Sequence, residues 1–260
     1  MKKVGILILA HRGVQNADLW ATWASSDVEH PIELFALCES GEDIICVSHG
    51  LKDIHGIRGS KWCGKEIALN TLRAFRHICN TRDDLIIIYL VSGFCLPLQS
   101  PAFFYQSVIS LPKSHVDGGK QWNPRDTSMC VIKHHPRRII ECTQWIALTP
   151  ACVRQIKDDS SLEKLLDNRK IVSQKCPDEW YIQSLIWRQN IPFQDVAFVD
   201  ICHSNHLSKH ALTWDLSPSQ ASKKRRIEWD DDSYTKMNAN QFLLFAQKAK
   251  YAFARKFSQF

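Results

Sequence analysis

The chain has 260 residues, 45% hydrophobic and 23% charged, proportions of a soluble globular domain with ample material for a core. Its formal charge of +6 comes from 33 basic and 27 acidic residues and gathers in short runs, PRR (136–138), SKKRR (222–226) and ARKF (254–257). Such a balance suits an anionic small ligand such as a nucleotide diphosphate as well as a polymer.

VGILILA (4–10) reads as a first β-strand. Its apolar run of about seven residues leads straight into HRG, which argues against a secretory leader. NADLWATWASS (16–26) is amphipathic, and IELFALC (32–38) and DIICVS (43–48) are strand-like. GKEIALNTLRAFRHIC (64–79) sets Ile67, Leu72, Phe75 and Ile78 largely on one face, which predicts a helix. LIIIYLV (85–91) is apolar throughout, as in a central strand covered on both sides.

The polar stretch 113–138 reads as a long loop. TQWIAL (143–148) resumes a strand, and Thr149 with Pro150 predicts a capped helix start. PFQDVAFVDIC (192–202) reads as one more strand, 217–232 as an exposed basic-then-acidic loop, and 241–257 as a final amphipathic helix. No stretch approaches the roughly 20 apolar residues of a membrane span. The alternation predicts an α/β fold with a mostly parallel sheet flanked by helices.

In such sheets ligands bind outside the carboxyl ends of the strands. His11-Arg12 follows the first strand, Glu39 the second and Ser92 the central one. There is no GxGxxG and no Walker A sequence, so the standard dinucleotide and P-loop readings fail. Within SQKCPDEWYIQSLIW (173–187), Pro177 suits a first helical position, and Asp178 and Glu179 suit the positive end of a helix dipole. The same carboxylates at the mouth of a pocket would serve as a general base and its neighbour.

Ten cysteines without a CxxC pair or a secretory leader point to a cytoplasmic chain with reduced thiols, most of them buried as small hydrophobes. Cys202, His203, His206 and His210 have zinc-compatible spacing, but no second ligand pair accompanies them, and loop histidines are the default. Asp230-Asp231-Asp232 matches a D-x-D metal motif in form, yet lies in a polar loop near the C-terminus.

Taken in order, several segments resemble one family. ILILAHRG, LWATWASS with IELFALCE, GSKWCGKEIALNTLRAF, YLVSGFCLPL, TQWIAL, CPDEWYIQSL and YAFARKF are similar to successive elements of the core-2/I-branching and peptide-O-xylosyltransferase glycosyltransferases, closest to their plant-type branch. Each element alone is poorly specific; the ordered set is far more so. The resemblance implies a single GT-A-like (Rossmann-like) domain over 1–260, with its nucleotide-sugar part at about 1–110 and its acceptor and catalytic part at about 111–260.

It further implies an inverting, metal-independent transfer of xylose or N-acetylglucosamine from a UDP-sugar to a hydroxyl of a glycan or glycoprotein, xylose being the slight preference. Glu179 takes the place of the family's catalytic base, and Lys256, with Arg255 beside it, that of a diphosphate-neutralising cation. No cofactor beyond the donor and no metal is implied. Arg225, within Lys223–Arg226, is a candidate second cation, the plain reading of that run being a solvated loop. His11, Arg12, Glu39 and Ser92 fall on the donor side; Glu39 stands where the family commonly has Asp, and Cys95 where animal members have Asp. Asp178, Trp145 and Trp180 fall on the acceptor side, with helix capping and core packing as the plain readings. Two other classes stay open: a nucleic-acid-binding protein using the basic runs, against which no binding motif is visible, and an inactive family member that binds sugars only.

Overall fold

The computed structural model describes residues 1–10, 14, 17–38, 52–53, 64–93, 95–110, 113–116, 120–121, 139–141, 144–174, 176–195, 198–202, 210–214 and 253–254. The strands are β1 (Lys3–Ala10), β2 (Ile32–Cys38), β3 (Lys52–Asp53), β4 (Leu85–Ser92), β5 (Leu96–Pro97), β6 (His115–Val116), β7 (Lys120–Gln121), β8 (Ile140–Glu141), β9 (Ile146–Leu148), β10 (Gln194–Asp195), β11 (Phe198–Cys202), β12 (His210–Trp214) and β13 (Phe253–Ala254). The helices are α1 (Ala17–Ser25), α2 (Lys65–Thr81), α3 (Pro101–Ile109), α4 (Pro150–Gln155), α5 (Ser160–Leu166), α6 (Arg169–Gln174) and α7 (Tyr181–Arg188).

Seven strands form one sheet in the order β10-β6-β9-β4-β1-β2-β3. Within it only β9 runs against its neighbours β4 and β6; the β1–β2, β1–β4, β2–β3 and β6–β10 pairs are all parallel. This is the expected mostly parallel α/β arrangement, a sheet flanked by helices. Both halves of the chain contribute, since β6, β9 and β10 extend the sheet that β1 to β4 begin.

The central strands are apolar on both faces because both are covered. Ile6, Leu7, Ile8, Ile88 and Tyr89 are wholly buried. Gly5 lets β1 approach β4 closely: a methyl there would stand 3.1 Å from the Ile88 side chain. Helix α2 buries Ile67, Ala68, Thr71, Leu72, Ala74, Phe75, Ile78 and Cys79, an apolar stripe of the predicted helical spacing. Burial of each large side chain contributes about 1.5–3 kcal/mol. Charge closes the amino ends of the strands. Arg82 reaches Glu33 at 2.7 Å and Asp84 at 3.1 Å, and Lys3 reaches Asp84 at 2.8 Å, so one network joins the starts of β1, β2 and β4.

Three sequence expectations are corrected. Residues 115–116, read as loop, form a strand with Val116 fully buried. The expected strand 192–202 is divided into β10, in the main sheet, and β11, which pairs with β12. The expected helix 241–257 does not continue through Phe253–Ala254, which pairs antiparallel with Pro97 and Leu96 of β5. There the Phe253 ring enters an aromatic cluster, at 5.7 Å from Trp20, 5.0 Å from Phe104 and 6.2 Å from Tyr89, and tertiary packing overrides helical periodicity. The expected strand 43–48 and loop 217–232 lie outside the described residues.

Candidate active site

The carboxyl ends of β1 and β4 are tied together. Gly93 N–H donates to Leu9 O at 2.8 Å and Cys95 N–H to Ser92 O at 2.8 Å, while Ser92 N–H meets the Cys95 sulfur at 3.3 Å. Ser92 therefore sits in a tight turn at the edge where an α/β sheet takes its ligand. The turn is braced from α1: Trp20 Nε1–H donates to Cys95 O at 3.0 Å and Trp23 Nε1–H to Gln99 O at 2.7 Å. The next element, β5, carries β13 alongside it, so the segment that runs on in sequence into Arg255 and Lys256 starts from this same edge.

The Pro-Asp-Glu element forms a separate 3-10 turn, Pro177–Glu179, ahead of α7. Pro177 occupies its first position, where a missing N–H costs nothing. Glu179 N–H donates to Cys176 O at 2.9 Å and Trp180 N–H to Pro177 O at 3.2 Å. Trp180, at φ −148°, breaks the backbone between turn and helix, so Glu179 lies just before the helix instead of inside its first turn. Asp178 is buried at 7% exposure and Glu179 half-buried, which leaves Glu179 the more accessible of the two carboxylates.

Helix α7 is held at both ends. Ile140 N–H donates to Ser184 Oγ at 3.0 Å, joining it to β8. The buried Arg188 lies 3.3 Å from Asp159 and donates to Ser161 Oγ at 2.9 Å. Asp159 in turn caps α5 by accepting from the N–H groups of Ser161 and Leu162. Asn190, at φ 52°, supplies the left-handed residue that ends α7. The turn also packs against α2.

The two tryptophans expected on the acceptor side lie in the core. Trp145 is 3% exposed and Trp180 fully buried, and both belong to the main hydrophobic cluster. As placed, they pack instead of offering an open ring face. His11, Arg12, Glu39, Arg225, Arg255 and Lys256 lie outside the described residues, as do His203, His206 and the Asp230–Asp232 run. No group of three or more potential metal-ligating side chains occurs among the described residues. None of the described helices is long and apolar enough to cross a membrane.

The cysteine expectation holds in part. Cys38, Cys79, Cys95 and Cys152 are free and buried, and burial pushes the Cys79 thiol up to about 11. Cys176 departs from it by forming a disulfide, which places a covalent tie directly before the Pro177–Glu179 turn. The sequence showed this cysteine beside the turn, but spacing alone gives no pairing.

The family model for Core-2/I-branching enzymes matches residues 54–248. The chain belongs to the Core-2/I-branching enzyme family. It is accordingly a glycosyltransferase. The matched span includes Ser92, Trp145, Asp178, Glu179, Trp180 and Arg225 and stops short of Arg255 and Lys256.

No curated protein matches the chain. Among solved structures, this family member is similar to glucosyl-3-phosphoglycerate synthase from Mycobacterium tuberculosis in complex with Mn2+, UDP and glucosyl-3-phosphoglycerate. That similarity has a TM-score of 0.39 and 12% identity over 76% of this chain and 85% of that one. Mouse xyloside xylosyltransferase 1 gives a TM-score of 0.33 and 13% identity over 72% of this chain and 80% of that one. Both likenesses are shallow, and the assignment rests on the family match.

Proposed function

We propose that the chain is an inverting, metal-independent glycosyltransferase that moves a sugar from a UDP-sugar to a hydroxyl of a glycan or glycoprotein, with Glu179 as general base. The observation that carries this reading is the Pro177–Glu179 turn, lying inside the family match. It holds a half-buried carboxylate beside the fully buried Trp180 and the nearly buried Asp178. A base must be aimed before it can work, and this backbone is fixed by its hydrogen bond to Cys176 and by the packing of α7.

In the transfer, the acceptor O–H gives its proton to the Glu179 carboxylate as its oxygen attacks the anomeric carbon. The bond from that carbon to UDP breaks on the opposite face, and its electron pair leaves with the diphosphate. The transition state resembles an oxocarbenium ion. Arg255 and Lys256, with Arg225 as the candidate second cation, meet the charge that develops on the leaving group; fixed cations do this without reorganisation. His11, Arg12, Glu39 and Ser92 make up the donor side. Asp178 supports Glu179 on the acceptor side. Xylose is the first donor to try and N-acetylglucosamine the second.

The deciding experiment is calorimetric titration of a panel of nucleotide sugars in excess EDTA, followed by donor hydrolysis with wild type and Glu179→Gln. One donor bound without metal, with hydrolysis lost in the variant, supports the base and the metal-free mechanism together. A requirement for Mn2+ overturns metal independence. Binding without turnover in wild type favours an inactive sugar-binding member. Compartment is tested by the redox state of Cys176 in cell extracts: a thiol fits the cytoplasmic expectation, and a disulfide fits an oxidising compartment.

A further inference from the structure

We infer that Gln183 is a positioning residue for the transfer: its buried carboxamide holds the peptide group that carries Glu179 and so aims that carboxylate. This rests on the reading of Glu179 as general base. Gln183 is the third residue of α7 and is wholly buried. Ile182, Leu185 and Ile186 around it in the helix are buried as well. A buried amide costs free energy unless it is hydrogen-bonded, so a carboxamide at such a position needs a polar partner.

The turn supplies one. Gln183 Nε2–H donates to Asp178 O at 3.4 Å. That oxygen belongs to the peptide group joining Asp178 to Glu179, whose N–H donates to Cys176 O at 2.9 Å. One planar group is therefore held at both of its polar ends, by main chain on one side and by the Gln183 side chain on the other. The helical ladder does not reach this far. Trp180, at φ −148°, breaks the backbone, and Ser184 N–H donates to Trp180 O at 2.9 Å, two residues beyond Asp178 O. A glutamine at the third helical position commonly reaches back to the N–H of the capping residue; here it reaches past Trp180 to a carbonyl.

At 3.4 Å the bond is at the long end for N–H···O, and its weight lies in direction more than in stability. The carboxamide acts from a fixed support, since Ser184 Oγ accepts from Ile140 N–H at 3.0 Å and Arg188 lies 3.3 Å from Asp159 at the far end of α7. The plane it holds sets where the Glu179 side chain starts. Misplacing a reacting group by about 1 Å can cost about 100-fold, so a modest tilt of this peptide is enough to slow proton removal.

The test is turnover of a panel of UDP-sugars, UDP-xylose first, by wild type, Gln183→Met, Glu179→Gln and the double variant, with kcat and donor KM measured separately. Methionine keeps the length of the side chain and removes its donor. Gln183→Met is expected to lower kcat by about 3- to 10-fold, the worth of one neutral hydrogen bond, with donor KM within about 2-fold of wild type. In the Glu179→Gln background the same change has no further effect, because Gln183 acts through that carboxylate. Equal losses in both backgrounds, a rise in KM alone, or an unchanged kcat in Gln183→Met overturns the proposal and leaves Glu179 as base. A Glu179→Gln protein with the wild-type kcat overturns the base reading and this inference with it, as does a wild type that turns over none of the panel. Should Gln183→Met fail to fold, Gln183→Asn keeps the amide one methylene short of Asp178 O and carries the same cycle.

Discussion

The Glu179 N–H donates to the Cys176 carbonyl at 2.9 Å, so the main chain of the proposed base closes onto a residue that is itself covalently tied. Two main-chain hydrogen bonds close this turn, Glu179 N–H to Cys176 O and Trp180 N–H to Pro177 O. Glu179→Gln is therefore expected to leave the thermal midpoint nearly unchanged while lowering donor turnover by about 10²- to 10⁴-fold, the usual worth of a positioned base. A melting curve measured beside a hydrolysis assay checks both halves. A large loss of stability would show that the carboxylate is structural.

The tie at Cys176 gives a second expectation. Cys176→Ser lowers unfolding free energy by about 2–4 kcal/mol, the common effect of opening a disulfide, and incubation with dithiothreitol lowers the wild type to the same level. Urea titration with and without reductant measures it. Unchanged midpoints would mean that the bond constrains little of the unfolded chain.

Asp84 gives a pH dependence with a definite sign. Its hydrogen bond to the Lys3 ammonium, helped by the Arg82 guanidinium, draws its carboxyl down to about 2 from an ordinary 3.8. A carboxyl whose folded value is depressed contributes stability that is fully present above the unfolded value and fades as pH falls toward the folded one. This contribution is accordingly lost between about pH 4 and pH 2. Asp84→Asn is expected to be less stable than wild type at neutral pH and to converge on it across that acid window, which denaturation at several pH values would follow. Parallel curves would show that Asp84 takes no part in the acid transition.

Ala147 stands between Tyr89 and His115 in the sheet, paired with each across β9. The tyrosine and histidine meet over it at 2.7 Å, all three fully buried, and only a small residue leaves room for that hydrogen bond. Ala147→Val is expected to cost about 1–3 kcal/mol as overpacking, with any excess reporting the broken Tyr89–His115 bond. Tyr89→Phe in the same background separates the two: if the bond is already broken in Ala147→Val, the second change adds little. Full additivity would place the strain elsewhere.

What the sequence revealed follows from where local signals coincide with the tertiary answer. The stripe of α2, the apolar run of β4 and the Thr149–Pro150 helix start were all legible. Thr149 does cap α4, accepting from the Cys152 N–H at 3.2 Å. The base candidate was legible through the ordered family elements, since helix chemistry alone explains Pro177, Asp178 and Glu179 equally well. Trp180 was not legible, because an aromatic residue beside a catalytic carboxylate reads alike as platform or core, and only its burial decides. Phe253 was misread for the opposite reason: its helical spacing was real, but the partners that extend it lie far away in the chain. The Cys176 disulfide was hidden because pairing is a fact of three dimensions.

That last strand has a consequence for the order of events during synthesis. The seven-stranded sheet is complete once residue 195 has formed its pairs, whereas β13 joins β5 only after residue 254 has been made. Closing so long a loop is slow and entropically costly. A nascent chain can thus own its sheet, its core and its Pro177–Glu179 turn while still lacking the strand that leads into Arg255 and Lys256. The pairing that seats Phe253 against Trp20, Tyr89 and Phe104 is therefore the last part of the described fold that such a chain completes.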